Sequence, residues 1–203
     1  MAIAIVTLSR EIGSHGSAVA ERVATALGWH LIDRRLVFVL ARRLGVSFAE
    51  AASRDERVSR LSERVAASLS ICLPEYALGS GPLRPSDRHY KDLTEHIVRR
   101  AVEAGPGVVV GHAAQVIFAD REDAFHVRLY APAAVRAERV RAEFLLDEAA
   151  ARARVESSDA DRAAYVKRHY GRDWRDPSLY HLQINTAFFS ADAAADLIVR
   201  SLK

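Results

Sequence analysis

The sequence predicts an α/β fold, a doubly wound five-stranded parallel sheet flanked by helices. Short runs rich in β-branched residues recur five times along the 203 residues. Apolar positions at helical spacing separate those runs, which is the alternation that builds a parallel sheet covered on both faces. The chain is also long enough for one such domain carrying insertions.

The first run, residues 3–8 (Ile-Ala-Ile-Val-Thr-Leu), reads as a buried strand. A turn follows at Gly13-Ser14-His15-Gly16. Ala18, Val19, Val23, Ala24 and Leu27 then share a helix face that stops before Gly28. Residues 29–33 form a short second strand, and Leu36 to Leu44 returns to helix before Gly45. Phe48, Val58, Leu61, Val65 and Leu69 among charges predict a long amphipathic helical region over 47–70. Residues 74–87, with Gly79, Gly81, Pro82 and Pro85, form a loop too long for a simple connection, so a binding loop is expected there.

Helix resumes near Tyr90–Glu103, and Gly107–Gly111 is a third strand followed by a helical turn at 116–118. A fourth strand covers 124–130. Pro132 suits the first position of a helix running to about Phe144. An Arg-rich helix over 147–170, a fifth strand at 181–185 and a last helix at 191–202 complete the pattern. A single domain over 1–203 is expected, with helical insertions at about 46–106 and 133–170 above the sheet's C-terminal edge, where ligands bind in such folds.

Composition narrows the function. Lys and Arg number 29 against 26 Asp and Glu, a balance that argues against a nucleic-acid polymer as partner. Lys91, Lys167 and Lys203 are the only lysines, so 26 of the 29 cations are arginine. Arginine's rigid fork suits phosphates and carboxylates, although a GC-rich genome gives the same bias. One cysteine, Cys72, makes no internal disulfide, and Met1–Val6 lacks a positive leader region. No apolar run approaches the ~20 residues of a membrane span. A cytoplasmic protein with no membrane partner is expected, and a homo-oligomer is compatible with everything in the sequence.

The chemistry concentrates after the first strand. Gly13, Ser14, His15, Gly16 and Ser17 lie between a strand and a helix, where backbone N–H groups at a helix N-terminus cradle anions. An ordinary tight turn is the alternative. The standard phosphate loop, Gly-x-x-x-x-Gly-Lys-Ser/Thr, laid with Ser17 as its serine puts Arg10, His15 and Gly16 where it needs two glycines and a lysine. Arg10 is then the loop residue able to replace the lysine, unless it merely pairs with Glu11 or Glu21 at the surface.

Ser9-Arg10-Glu11-x-Gly13-Ser14-x-Gly16, Leu27-Gly28 and Asp33-Arg34 resemble the cytidylate kinase-like family, a branch of the nucleoside monophosphate kinase fold. The resemblance continues through Gly107–Ala114, Ala131-Pro132-x-x-x-Arg136-x-x-Arg139, Asp161-Arg162 and Asp173-Trp174-x-Asp176-Pro177-x-x-Tyr180-x-Leu182-x-Ile184-Asn185-Thr186. It spans nearly the whole chain in order, with 46–106 weakly tied to it. His15 departs from the family's glycine, and His112 from its usual arginine.

The resemblance implies an ATP-dependent transfer of phosphate to a nucleoside monophosphate, CMP or dCMP, or to a similar small acceptor. It implies ATP as donor, Mg²⁺ held by Ser17, and phosphate binding by Gly13 to Ser17. Arg10, Arg136, Arg139 and Arg162 would be the catalytic cations, the last three on a lid over 133–170. Interspersed acids also allow a charge-compensated surface helix there. Asp33, Arg34, His112 and Asn185 would face the acceptor, although Asp33 also suits a helix cap and Asn185 a turn. A kinase of another metabolite, and a nucleotide-binding regulator on a degenerate kinase fold, remain open alternatives.

Overall fold

The computed structural model describes residues 2–33 and 87–203, with the side chains of 87–90 and 93 excepted. The expected helices at 36–44 and 47–70, Cys72, and all but the last residue of the 74–87 loop lie outside those residues. The described elements are β1 (Ile5–Arg10), α1 (Gly16–Leu27), β2 (His30–Ile32), α2 (Asp87–Glu103), β3 (Gly107–Val110), α3 (Ala114–Ile117), β4 (Ala124–Tyr130), α4 (Ala133–Phe144), α5 (Glu148–Tyr170), a 3₁₀ turn (Pro177–Leu179), β5 (Leu182–Asn185) and α6 (Ala191–Ser201). The chain divides into two compact units, residues 1–34 with 98–203 and residues 35–97. The sheet and the site below belong to the first.

All strand pairs are parallel, in the order β2-β3-β1-β4-β5. From β1 the chain crosses toward β2 at one edge, and from β4 toward β5 at the other. The C-terminal ends of the adjacent β1 and β4 therefore open a crevice, the place where such sheets take ligands.

The core follows from the period of two along each strand. Val6, Leu8, Val108, Val110, Val127, Leu129 and Ile184 pack against Val19, Val23, Ala194 and Ile198 of α1 and α6. Thr7, Ser9, His126 and Arg128 are also buried, and they meet polar and aromatic partners. Ser9 Oγ accepts from Trp174 Nε1 at 2.8 Å, Thr7 Oγ1 lies 2.8 Å from His126 Nδ1, and the His126 ring stacks on His181. Hydrogen bonds hold most of this buried polar layer, while His126 Nε2 and Arg128 Nε are buried without a hydrogen-bond partner among the described residues.

Helix ends follow local chemistry. Gly28 closes α1 in the left-handed conformation, and Asp147 and Ser190 cap α5 and α6 by accepting from Ala150 N and Ala193 N. Pro132 stands one position earlier than expected, as N-cap of α4 with an extended ψ of 140°. Among the described residues, no helix is long and apolar enough to cross a membrane.

Candidate anion site at the ends of β1 and β3

The loop from β1 to α1 is built by its own backbone and by α4. Glu11 N–H continues the sheet by donating to Leu129 O at 3.1 Å. Ser14 folds back on the same residue, its hydroxyl donating to Glu11 O at 2.7 Å and its N–H at 3.3 Å. Gly13 has φ +75°, and a Cβ there would lie 2.7 Å from Arg136 O, so only glycine lets α4 approach.

His15 is the N-cap of α1 at φ 57° and ψ 22°, and its side chain caps nothing. Val19 N donating to His15 O is the bond that opens the helix. The amides of Gly16, Ser17 and Ala18 therefore have no acceptor inside α1, and they sit at its positive end. Ser17 is exposed in that first turn, while the Ser14 hydroxyl is turned inward. Partial burial, with Arg139 and Arg22 nearby, holds the His15 imidazole below its usual range against the opposing pull of Glu143.

Arg10 lies across two glycines. A Cβ at Gly16 would collide with its Cγ and Cβ, and one at Gly111 with Nη1, with Cζ only 3.1 Å away. The side chain thus runs from the anion loop toward the loop after β3. That second loop is left-handed at three consecutive residues, Gly111, His112 and Ala113, with φ of 80°, 57° and 54°. Ala114 N–H donates to Gly111 O at 3.0 Å to close it.

The expected arginines have different settings. Arg136 is 4% exposed, donating from Nη1 and Nη2 to Asp159 at 3.2 and 2.8 Å and from Nε to Ala131 O at 2.8 Å. Its Nε also lies 3.0 Å from Glu11 Oε2. Its fork is occupied by protein, unlike that of a cation waiting for phosphate. Arg139 bridges the loop to the end of β5, donating to Gly13 O at 3.0 Å and Thr186 O at 2.7 Å. Arg162 donates to Ser158 O and Ser158 Oγ. Burial lowers its pKa first, and it feels the charges of Asp159, Arg136, Asp161 and Glu11.

Asn185 ends β5 with Oδ1 accepting from Ala187 N at 3.0 Å, the turn-capping role. Asp33 directly follows β2, His112 is half-buried in the loop after β3, and Arg34 lies outside the described residues. The loop, Arg10, Arg139, Asn185 and Gly111 with His112 are gathered at one end of the sheet. Thr186, which the resemblance places beside Asn185 at the end of the last strand, receives Arg139 here, whereas no sequence signal assigned Glu11, Arg128 or Asp159 a place in the site. Only the tertiary pairing of residues far apart in sequence identifies them. Among the described residues no cluster of three His, Cys, Asp or Glu side chains forms a metal site.

No functionally curated protein matches the chain. Among solved structures, an uncharacterized protein from Eubacterium ventriosum is 18% identical with a TM-score of 0.70, over 98% of this chain and 97% of that one. Shikimate kinase from Bacteroides thetaiotaomicron is 12% identical with a TM-score of 0.54, over 98% and 97%. Shikimate kinase from Acinetobacter baumannii is 12% identical at 0.52, over 98% and 93%. These likenesses show the fold, a five-stranded parallel sheet of the P-loop kinase type. The model of the cytidylate kinase-like family matches residues 5–187, from β1 to just beyond β5, and the chain belongs to that family.

Proposed function

We propose that the protein is an ATP- and Mg²⁺-dependent phosphotransferase whose acceptor is a nucleoside monophosphate, CMP or dCMP in the first instance. The single observation that carries this is Arg10, laid over Gly16 of the anion loop and reaching Gly111 at the next strand. A lysine-less loop leaves donor phosphates without their usual cation, and a desolvated phosphate without one is costly. The Arg10 guanidinium provides that charge between the loop that takes the donor and the loop that faces the acceptor.

In the reaction an oxygen of the acceptor phosphate attacks the γ-phosphorus, and the bond to the β-bridging oxygen breaks to release ADP. Such a transfer needs position and positive charge more than covalent help. The loop of residues 13–17 holds the β-phosphate, through amides such as those of Gly16 and Ser17 that have no acceptor inside α1, Ser14 N–H being given to Glu11 O. Ser17, exposed beside them, is the residue that would hold Mg²⁺. When bound, Mg²⁺ would supply neutralising charge to the transferring phosphate. Arg10 and Arg162 meet the γ-phosphate, Arg139 fixes the loop against β5, and Arg136 positions rather than touches. Asp33, Arg34, His112 and Asn185 are assigned to the acceptor from the family resemblance, as are 46–106 as the acceptor insertion and 133–170 as the lid. A cytoplasmic setting suits the lone cysteine.

Binding without turnover is the second function the site supports. His15 and His112, both left-handed and neither glycine nor arginine, favour it. Thermal unfolding with ATP, CMP and Mg²⁺ and an ADP-release assay over nucleoside monophosphates separate the two. ATP at ~100 times its dissociation constant adds about 2.7 kcal/mol, a rise of roughly 5–10 °C. No rise with ATP refutes nucleotide binding. A rise without ADP release from any acceptor refutes the transferase.

A further inference from the structure

Glu11 uses every polar atom it has. Its N–H joins β4 and its carbonyl accepts Ser14, and the carboxylate accepts Arg128 Nη2 at 3.0 Å and Ala131 N–H at 3.2 Å beside Arg136 Nε. Glu11 is 7% exposed, directly after β1 and bonded to β4. Arg136 passes the connection on to Asp159, itself 7% exposed, in the middle of α5. Asp159 lies within the electrostatic reach of Arg162 and 3.9 Å from Arg175. The packing runs the same way, since Ile12 lies against Ala137, Val140, Ala151 and Val155 of α4 and α5. Arg128 is held in turn among the rings of Tyr130, Trp174 and Tyr180, at 5.3–5.9 Å.

We propose that Glu11, Arg136 and Asp159 form one buried positioning relay that ties the anion loop to α5, so that the helix carrying Arg162 is set by the state of the loop. The chain Glu11–Arg136–Asp159 has no exposed link through which water would substitute for a lost partner, and the loop's glycine admits α4 backbone directly. The loop and α4 therefore move as one body, and Asp159 transmits that body's position to α5. Coupling of this kind passes through packed and ion-paired side chains that share partners. Only the ligand arm of the test below rests on the phosphotransferase assignment.

Amide hydrogen exchange on the full chain tests the relay. Glu11→Gln and Asp159→Asn should each accelerate exchange about tenfold in both residues 11–19 and residues 155–166, leaving α6 unchanged. Asp159→Asn loosening the loop is the decisive outcome, and acceleration confined to the mutated element overturns the relay. Should Glu11→Gln unfold globally, shown by faster exchange in α6, Asp159→Asn and Arg136→Lys decide alone. In the ligand arm, the affinity for Mg·ADP should fall about tenfold in Asp159→Asn and recover in part in Asp159→Glu. Unchanged affinity in Asp159→Asn overturns the relay. Wild-type protein that binds no ADP refutes the phosphotransferase assignment instead, and the exchange of the ligand-free variants still decides the relay.

Discussion

Gly111→Ala tests the position of Arg10 without touching Arg10. The added methyl would occupy the place of Nη1 and come within 3.1 Å of Cζ, so the guanidinium must leave. The backbone at φ +80° also charges a non-glycine residue about 1–2 kcal/mol, a fall of roughly 3–6 °C in midpoint for a chain of this size. The larger effect is on turnover. A charge-assisted contact to a phosphate whose charge shifts in the transition state is worth on the order of 3 kcal/mol, or about 100-fold. Gly111→Ala and Arg10→Ala should each lose about that much in kcat while changing the KM for ATP far less. Because both remove the same group, the double variant should be no slower than either alone. The Arg10→Ala background should also restore part of the stability, since the collision disappears. ADP release and thermal unfolding on the four proteins complete the cycle. Wild-type kcat in Gly111→Ala, or losses that multiply to about 10⁴-fold in the double variant, would refute the placement of the catalytic charge.

His15→Gly should stabilise the protein. Relief of about 1–2 kcal/mol of left-handed strain exceeds the 0.5–1 kcal/mol of added chain entropy, so the midpoint should rise by roughly 1–3 °C and nucleotide affinity should not fall. A lower midpoint would show that the imidazole contributes contacts that outweigh the strain. Acid should weaken the fold through His126, whose pKa is lowered from 6.5 to about 4 by burial and by neighbouring His181. The folded state holds this ring neutral, so stability is complete above pH 6.5 and falls as the unfolded chain takes up the proton, until pH 4. The interval is worth at most about 3 kcal/mol, of which about 1–2 should be lost by pH 5. Urea unfolding at pH 7.5 and pH 5, with His126→Gln expected to flatten the difference, checks it. An equal fall in both proteins assigns the acid sensitivity elsewhere.

The strands were legible where apolar periodicity set them, and less so where polar residues are buried. β4 covers the expected 124–130, and Gly28 ends α1 as its position implied. β1 continues through Ser9 and Arg10, two residues past the apolar run, because Trp174 and Tyr180 satisfy Ser9 from some 170 positions away. Nothing local to Ser9 announces that. The turn between β1 and α1 was legible because its geometry is encoded by its own glycines and the strand and helix on either side. The arginines were legible only as a set. Arg136 and Arg139 sit three apart on α4, yet one is locked to Asp159 and Glu11 and the other spans Gly13 and Thr186. Spacing places both on one helix face but says nothing of the partner each meets there. The alternative that paired Arg10 with Glu11 at the surface does not fit the Glu11 carboxylate, which is buried and joins Arg128 and Arg136.

Strain points to the same end of the sheet as charge does. Four non-glycine residues have positive φ, His15, His112, Ala113 and Leu145, among the described residues. Leu145 follows α4 as its C-cap at 92% exposure, a common way to end a helix. The other three flank Arg10, in the loops after the neighbouring strands β1 and β3. Each costs about 1–2 kcal/mol, together a sizeable share of the 5–15 kcal/mol by which a domain is usually stable. A chain relaxing freely would not keep three such residues side by side, so the surrounding bonds must over-determine them. Those bonds are on view: Ser14 to Glu11, Arg139 to Gly13, Glu11 to Arg128 and Ala131, and Ala114 to Gly111. Their common result is a rim of backbone held in place around one arginine, with helix amides beside it. Rigid backbone donors with Arg10 and Arg139 beside them suit a ligand that carries several negative charges.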